Sequence, residues 1–199
     1  MKYLKILSLA AVAAMALMAF AASSASATAI YNGASKLATG STIAFSIPAG
    51  KEAVLTDTSG NSLDKCTTST AKGELKENGP KAGGPITELT WGVGGKCTFT
   101  TNTVTKGGLE AIWTGGTNAE IKSNAKIEVT INSILGDCIY GVEGGKSLGT
   151  LATNSSTAAT FTANAVAEKL GGPIACPTTA KWTGTYVSTE PVNLRVEES

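Results

Sequence analysis

Hydrolytic chemistry in this chain would have to be built from carboxylates. Histidine is absent from all 199 residues. That removes Ser-His-Asp and Cys-His mechanisms, which need an imidazole to carry the proton. The acids available include Glu110, Glu120, Glu128 and Asp137. A glycosidase needs two carboxyl groups flanking the scissile bond. Glu110 and Glu128 fall at outward places in alternating segments, where a carboxylate is ordinarily solvated, and no spacing marks a pair. The expectation is therefore a non-enzyme without a cofactor, with a carboxylate glycosidase as the least favoured alternative.

Two other groupings are candidates for binding. In "DTSGNSLD" (57–64), Asp57, Ser59, Asn61 and Asp64 place oxygens around Gly60. Alternate oxygens around a glycine can wrap a calcium ion, but the twelve-residue loop with its closing Glu is missing. The same residue types make ordinary hairpin turns, and a turn is expected. Trp91, Trp113 and Trp182 are the other grouping. Exposed together they would form a flat sugar-binding face, with Trp91 and Trp113 as its tentative platform. A buried aromatic covers about 150–250 Å², and this chain has few aromatics, so core packing is the expectation for each tryptophan.

The four cysteines, Cys66, Cys97, Cys138 and Cys176, include no C-x-x-C spacing. Without histidine or that spacing, a zinc site has little support. An even count in an exported chain reads as two disulfides. Three pairings are possible; their order along the chain favours Cys66–Cys97 with Cys138–Cys176.

Export is indicated by the start of the chain. Lys2 and Lys5 precede the uncharged run 6–20, and small residues follow. A charged start, a short apolar run and an A-x-A site form a signal peptide. The best site is Ala25-Ser26-Ala27, which assigns 1–27 to the signal peptide and 28–199 to one secreted domain. The run is short for a membrane span, which takes about 20 residues, and no later stretch would cross a bilayer. The whole chain carries a net charge of +1, and without Lys2 and Lys5 it is −1. Arg195 is the only arginine and the lysines are scattered. Nucleic acid would call for a basic stripe, so no nucleic-acid partner is expected. "NSS" (154–156) is a formal N-glycosylation acceptor.

The elements that must hold these residues read as β. Segments 41–47, 52–58, 97–103, 109–114, 125–134 and 159–166 are rich in Thr, Val, Ile and aromatics. In "KIEVTIN", Ile127, Val129 and Ile131 alternate with polar residues, the period of a half-buried strand. Six Gly-Gly pairs (83–84, 94–95, 107–108, 115–116, 144–145 and 171–172) punctuate them as candidate turns. "ANAVAEKL" (163–170) allows a short helix, and 73–85 reads as the longest loop. At the C-terminus, Trp182, Gly184 and Tyr186 share one face of a strand and Lys181, Thr183 and Thr185 the other. About a dozen short strands at 10–15-residue spacing predict an all-β antiparallel sandwich, jelly-roll or Ig-like in layout, stapled by two disulfides.

Four stretches, "MKYLKILSLAAVAAMALMAFA", "AVLTDTSGNSLDKCTTST", "IWTGGTNAEIKSNAKIEV" and "WTGTYVSTEPVNLRV", resemble a group of small exported proteins of soil actinobacteria of the Solirubrobacter type. The resemblance runs nearly the full length. It implies export and a compact β structure, and it brings no activity with it. The functional expectation is thus an extracellular or cell-surface structural or interaction protein. Its strand edges would allow self-association or capture of a surface partner. The alternative is a carbohydrate-binding module using exposed tryptophan.

Overall fold

The structure, a computed structural model, describes residues 27–92, 97, 102–133, 136–153 and 157–199. Apart from Ala27, the expected signal peptide (1–27) lies outside these residues, as do the expected 154–156 acceptor, the 94–95 glycine pair and most of segment 97–103. Among the described residues there is no helix, and fifteen strands follow one another. They are β1 (Thr28–Asn32), β2 (Ser35–Lys36), β3 (Thr42–Ser46), β4 (Ala53–Thr56), β5 (Ser62–Cys66), β6 (Ser69–Glu74), β7 (Glu77–Asn78) and β8 (Ala82–Trp91). Then come β9 (Asn102–Gly115), β10 (Asn118–Ser133), β11 (Gly136–Val142), β12 (Ser147–Ala152), β13 (Thr160–Gly171), β14 (Thr179–Glu190) and β15 (Leu194–Glu198). The fold is all-β and antiparallel, with both disulfides formed, Cys66–Cys97 and Cys138–Cys176.

The strand pairings of the large sheet run round into a circuit, with β8 and β9 joined only along 82–85 and 108–111. β13 pairs with β14, β14 with β3, β3 with β6, β6 with β8, β8 with β9, β9 with β10, β10 with β12, and β12 returns to β13. The layers of the expected sandwich are therefore stitched together into a ring. Long strands make this possible by spanning two partners in succession. β10 pairs through its first half with β12 and through its second with β11. β14 pairs with β4 near its start and β3 near its end. Closure satisfies backbone groups that open edges would leave exposed.

Alternation decides what faces inward. On β13, Ala163 and Ala165 are buried while Thr162, Asn164, Val166 and Glu168 are exposed. On β10, Ala119, Ile121, Ser123, Ile127 and Ile131 are buried. A period of two puts each set on one face. The interior is apolar, and lysine, glutamate and threonine crowd the outside. That is the reverse of a membrane-spanning barrel, whose outer band is apolar. Among the described residues, no helix is long and apolar enough to cross a membrane.

The two ends are closed differently. At one end β1 pairs with β15 along Thr28–Asn32 and Leu194–Glu198. Side chains tie this small sheet to the ring. Asn78 accepts from the Ile30 amide at 2.7 Å and donates to the carbonyls of Ile30 and Leu37. Thr28 Oγ1 accepts from the Trp113 amide, and Thr153 Oγ1 from the Val196 amide. Ile30, Leu194 and Val196 thereby enter the main core. At the other end lie the disulfides. One joins β5 to the chain beyond β8, and the other joins β11 to the β13–β14 connection.

Three local expectations are corrected. Segment 163–170 is not helical but part of β13, because each of its inward residues pairs across to β14. The 73–85 stretch is not a long loop: β6, β7 and β8 run through it as paired strands. Gly115-Gly116 does turn the chain, between β9 and β10, with φ of 121° and 57°. Gly83-Gly84 instead lies inside β8, where backbones cross closely. A Cβ on Gly84 would come within 1.9 Å of the Glu74 carbonyl oxygen. Here the glycine pair serves close approach, not reversal.

Candidate functional site

The carboxylates proposed for hydrolysis are dispersed over the outside. Glu110 meets Lys81 at 3.5 Å, Glu120 meets Lys122 at 3.3 Å and Glu128 meets Lys126 at 3.2 Å. Asp137 is exposed. Such pairs, partly open to water, contribute little to stability.

The 57–64 oxygens do not converge on a cation. Asp57 Oδ1 accepts from the amides of Ser59 and Asn61, and Oδ2 accepts from the Asn61 side chain, each at 2.8 Å. The Asn61 side chain and then the backbone amides hold the Asp57 carboxyl below its usual range. Asp64 is buried and accepts from the Lys65 amide. The stretch is a turn between β4 and β5 organised by Asp57. Asp64 does lie near Cys66 and Cys97. Those two sulfurs are consumed by their disulfide, and a metal needs thiolates.

Trp91 and Trp113 do not form one face. The register Ala82↔Ala111 places Trp113 level with the start of β8, roughly 30 Å along that strand from Trp91 at 3.3 Å per residue. Trp113 is half-buried, and its indole donates to the Gly116 carbonyl. Trp91 is buried and stacks on Trp182, with ring centroids 5.7 Å apart. Trp182 in turn meets Phe161 at 6.1 Å and Tyr186 at 5.7 Å, both edge-on. Edge-to-face pairs of this kind are worth about 0.5–1.5 kcal/mol beyond their burial. Trp182 and Tyr186 lie on the inner face, as their shared side of the strand predicts. Gly184 between them admits Ala53, which would sit 3.5 Å from an added Cβ.

Tyr186 is fully buried, and its hydroxyl donates to Ser69 Oγ at 3.2 Å. Burial pushes its pKa up to about 12, against smaller opposing effects of Ser69 and the Trp182 indole. Tyr140, on β11, is also raised by burial.

These aromatics wall an interior cavity of about 160 Å³ inside the ring. Its lining is hydrocarbon over nearly all its surface, with Phe45, Ile121, Leu148, Phe161, Ala165 and Trp182 among the contributors. An apolar cavity of about 150 Å³ in another protein stays dry and takes up benzene. Small residues on several strands line the cavity: Ala165 and Ala167 on β13, Ala111 on β9 and Ala82 on β8.

Sequence reasoning did not single out this cavity or Tyr140. The available signal was "TANAVA", a strand period whose inward members are all small. Comparison with family models, with curated proteins and with solved structures finds no match for this chain.

Proposed function

We propose that this protein is an exported, non-catalytic binding protein whose ligand is a small apolar molecule held inside the ring of strands. The observation that carries the reading is the 160 Å³ hydrocarbon-lined cavity. Pockets that bind small molecules are concave and mostly apolar, with a few polar groups fixing orientation. An apolar occupant would remove hydrocarbon surface of the lining from water. Non-catalytic behaviour is supported by the separate, ion-paired acids on the outside. Export is supported by the leader-like start and by two disulfides, which persist in oxidising compartments.

This reading departs from structural self-association through strand edges. Among the described residues β2, β5, β7 and β15 have a single strand neighbour and none is longer than five residues, which makes them poor templates for strand addition; the one-sided stretches 86–91 of β8 and 102–107 of β9 are longer. The test is titration of the disulfide-bonded protein with toluene, followed by calorimetry and thermal melting. Saturable binding with a rise in melting temperature is expected. An unchanged melt together with no heat of binding, at toluene concentrations near its solubility, would refute the proposal.

A further inference from the structure

Asp64, at 2% exposed, is the only charged side chain buried among the described residues. It lies against a disulfide, with its carboxylate oxygen Oδ2 3.6 Å from Cys66 Sγ. The strand period puts the two together: on β5, Asp64 and Cys66 turn inward and Lys65 between them turns out. Cys97 is held beside Cys66 by the backbone as well as by the bond between their sulfurs, through an antiparallel bridge. Gly92 makes room for it. A Cβ on Gly92 would come within 2.1 Å of Cys97 Sγ, and its φ of 58° to 66° class of conformation, here 66°, favours glycine. The ligating atoms of Asp64, Cys66 and Cys97 lie within 4.8 Å of one another. Among the described residues, no other three metal-ligating side chains come together in this way. None of the three lines the interior cavity.

We propose that this cluster is a redox-controlled site for a divalent zinc-class ion, closed to metal while the Cys66–Cys97 bond is intact and loaded once that bond is reduced. A thiol reductant reaches the bond at Cys97, its half-buried member. Two reductant thiols supply two electrons and two protons. The S–S bond breaks, Cys66 and Cys97 become thiols, and the reductant leaves as its own disulfide. The cation then displaces both thiol protons to solvent. Charge favours its entry. Two thiolates and a carboxylate bring three negative charges into a buried space, and like charges this close repel one another strongly. A divalent ion offsets two of them. Thiolates are soft donors, and they select zinc-like ions over magnesium and calcium. Once unbonded, the sulfurs can move apart to the separations of about 3–4 Å that tetrahedral zinc imposes with bonds of about 2.0–2.3 Å. The backbone bridge keeps the two cysteines adjacent while they do so. Three protein ligands leave the fourth position to water or to an outside donor. The protein would thereby take up zinc only in reducing surroundings.

Cobalt(II) is the probe, because thiolate ligation gives it absorption bands that zinc lacks. The full disulfide-bonded protein is reduced with a phosphine, which leaves as its oxide with oxygen from water. It is then desalted without oxygen, and its free thiols are located by alkylation and mass spectrometry. Brief treatment should free Cys66 and Cys97 first, because Cys138 and Cys176 are both buried, at 6% and 3% exposed. One cobalt per reduced chain is expected, with sulfur-to-metal charge transfer and displacement by zinc, and none in the oxidised chain. Asp64→Asn should bind cobalt at least about ten-fold more weakly, since losing a ligand costs no less than losing a ligand's outer partner. Circular dichroism follows the fold throughout. If the reduced chain unfolds in chelator, cobalt should restore the strand signal of the wild type and not of Asp64→Asn, because metal binding at such a site is folding free energy. Equal cobalt affinity in the two proteins would overturn the inference, as would a reduced wild type that neither binds cobalt nor refolds with it. Toluene binding by the oxidised protein is a separate measurement, and neither result bears on the reading of the interior.

Discussion

Tyr186 offers a prediction whose magnitude follows from its surroundings. Its ring is sealed among Ile47, Ala53 and Ala163, and its hydroxyl reaches Ser69. Burial raises its pKa from 10.0 to about 12. The folded state therefore keeps the proton more tightly than the unfolded chain does. Its contribution is fully present below about pH 10 and is lost as pH rises towards 12. With about 1.36 kcal/mol per unit, two units amount to about 2–3 kcal/mol. Tyr140 shifts in the same direction and adds to the slope. The assay is urea unfolding of the wild type and of Tyr186→Phe, at pH 8 and at pH 12. At pH 8 the variant should be less stable by roughly 1 kcal/mol, having lost the bond to Ser69. At pH 12 the order should reverse, because phenylalanine has no proton to lose. With urea slopes of about 1–3 kcal/mol per molar, the relative shift in midpoint is on the order of 1–2 M. A gap between the two proteins that stays constant across this range would refute the placement of the Tyr186 hydroxyl in the interior.

Other perturbations test other parts of the structure. Trp182→Ala removes the ring that joins Trp91, Phe161 and Tyr186, and thermal or denaturant melting should show a loss of about 3–5 kcal/mol. Replacing Cys138 and Cys176 together by alanine opens a 38-residue separation, and denaturant unfolding should register a loss of about 3–4 kcal/mol. Ala165→Leu fills part of the cavity; it should raise stability by about 0.5–2 kcal/mol and abolish toluene binding in the same calorimetric titration. Thr153→Val leaves the Val196 amide without its hydroxyl acceptor and the Thr117 carbonyl without its side-chain donor. A loss of about 1–3 kcal/mol is expected, with faster hydrogen exchange at the Val196 amide.

The strands were readable wherever one face is wet and the other dry. Ile127, Val129 and Ile131 announce β10, and Trp182 with Tyr186 announces the inner face of β14. The disulfides follow the order of the cysteines, since neighbouring hairpins bring consecutive ones together. Closure of the ring was not readable. It depends on which strands pair, β12 with β13 and β14 with β3 among them, and periodicity does not report which strand lies beside which. Gly83-Gly84 reads as a turn because a glycine pair carries no mark separating reversal from close crossing; the nearby Glu74 carbonyl appears only in three dimensions. The same holds for the cavity. An inward alanine such as Ala111 or Ala165 is equally at home where sheets approach closely. That it leaves space depends on the size of its neighbours around the circumference. Trp91 is buried, as core packing expects, but what it packs on was not readable, since its partner, Trp182, stands ninety-one positions away.

Occupancy of the interior by an apolar molecule is the claim on which the functional reading stands. A crystal of the disulfide-bonded protein exposed to toluene vapour tests it most directly. The account predicts one ring-shaped density within the ring of strands, bounded by Phe161, Leu148, Ile121 and Trp182. An interior that holds ordered water in that place, or toluene bound only on the outer surface, would contradict it.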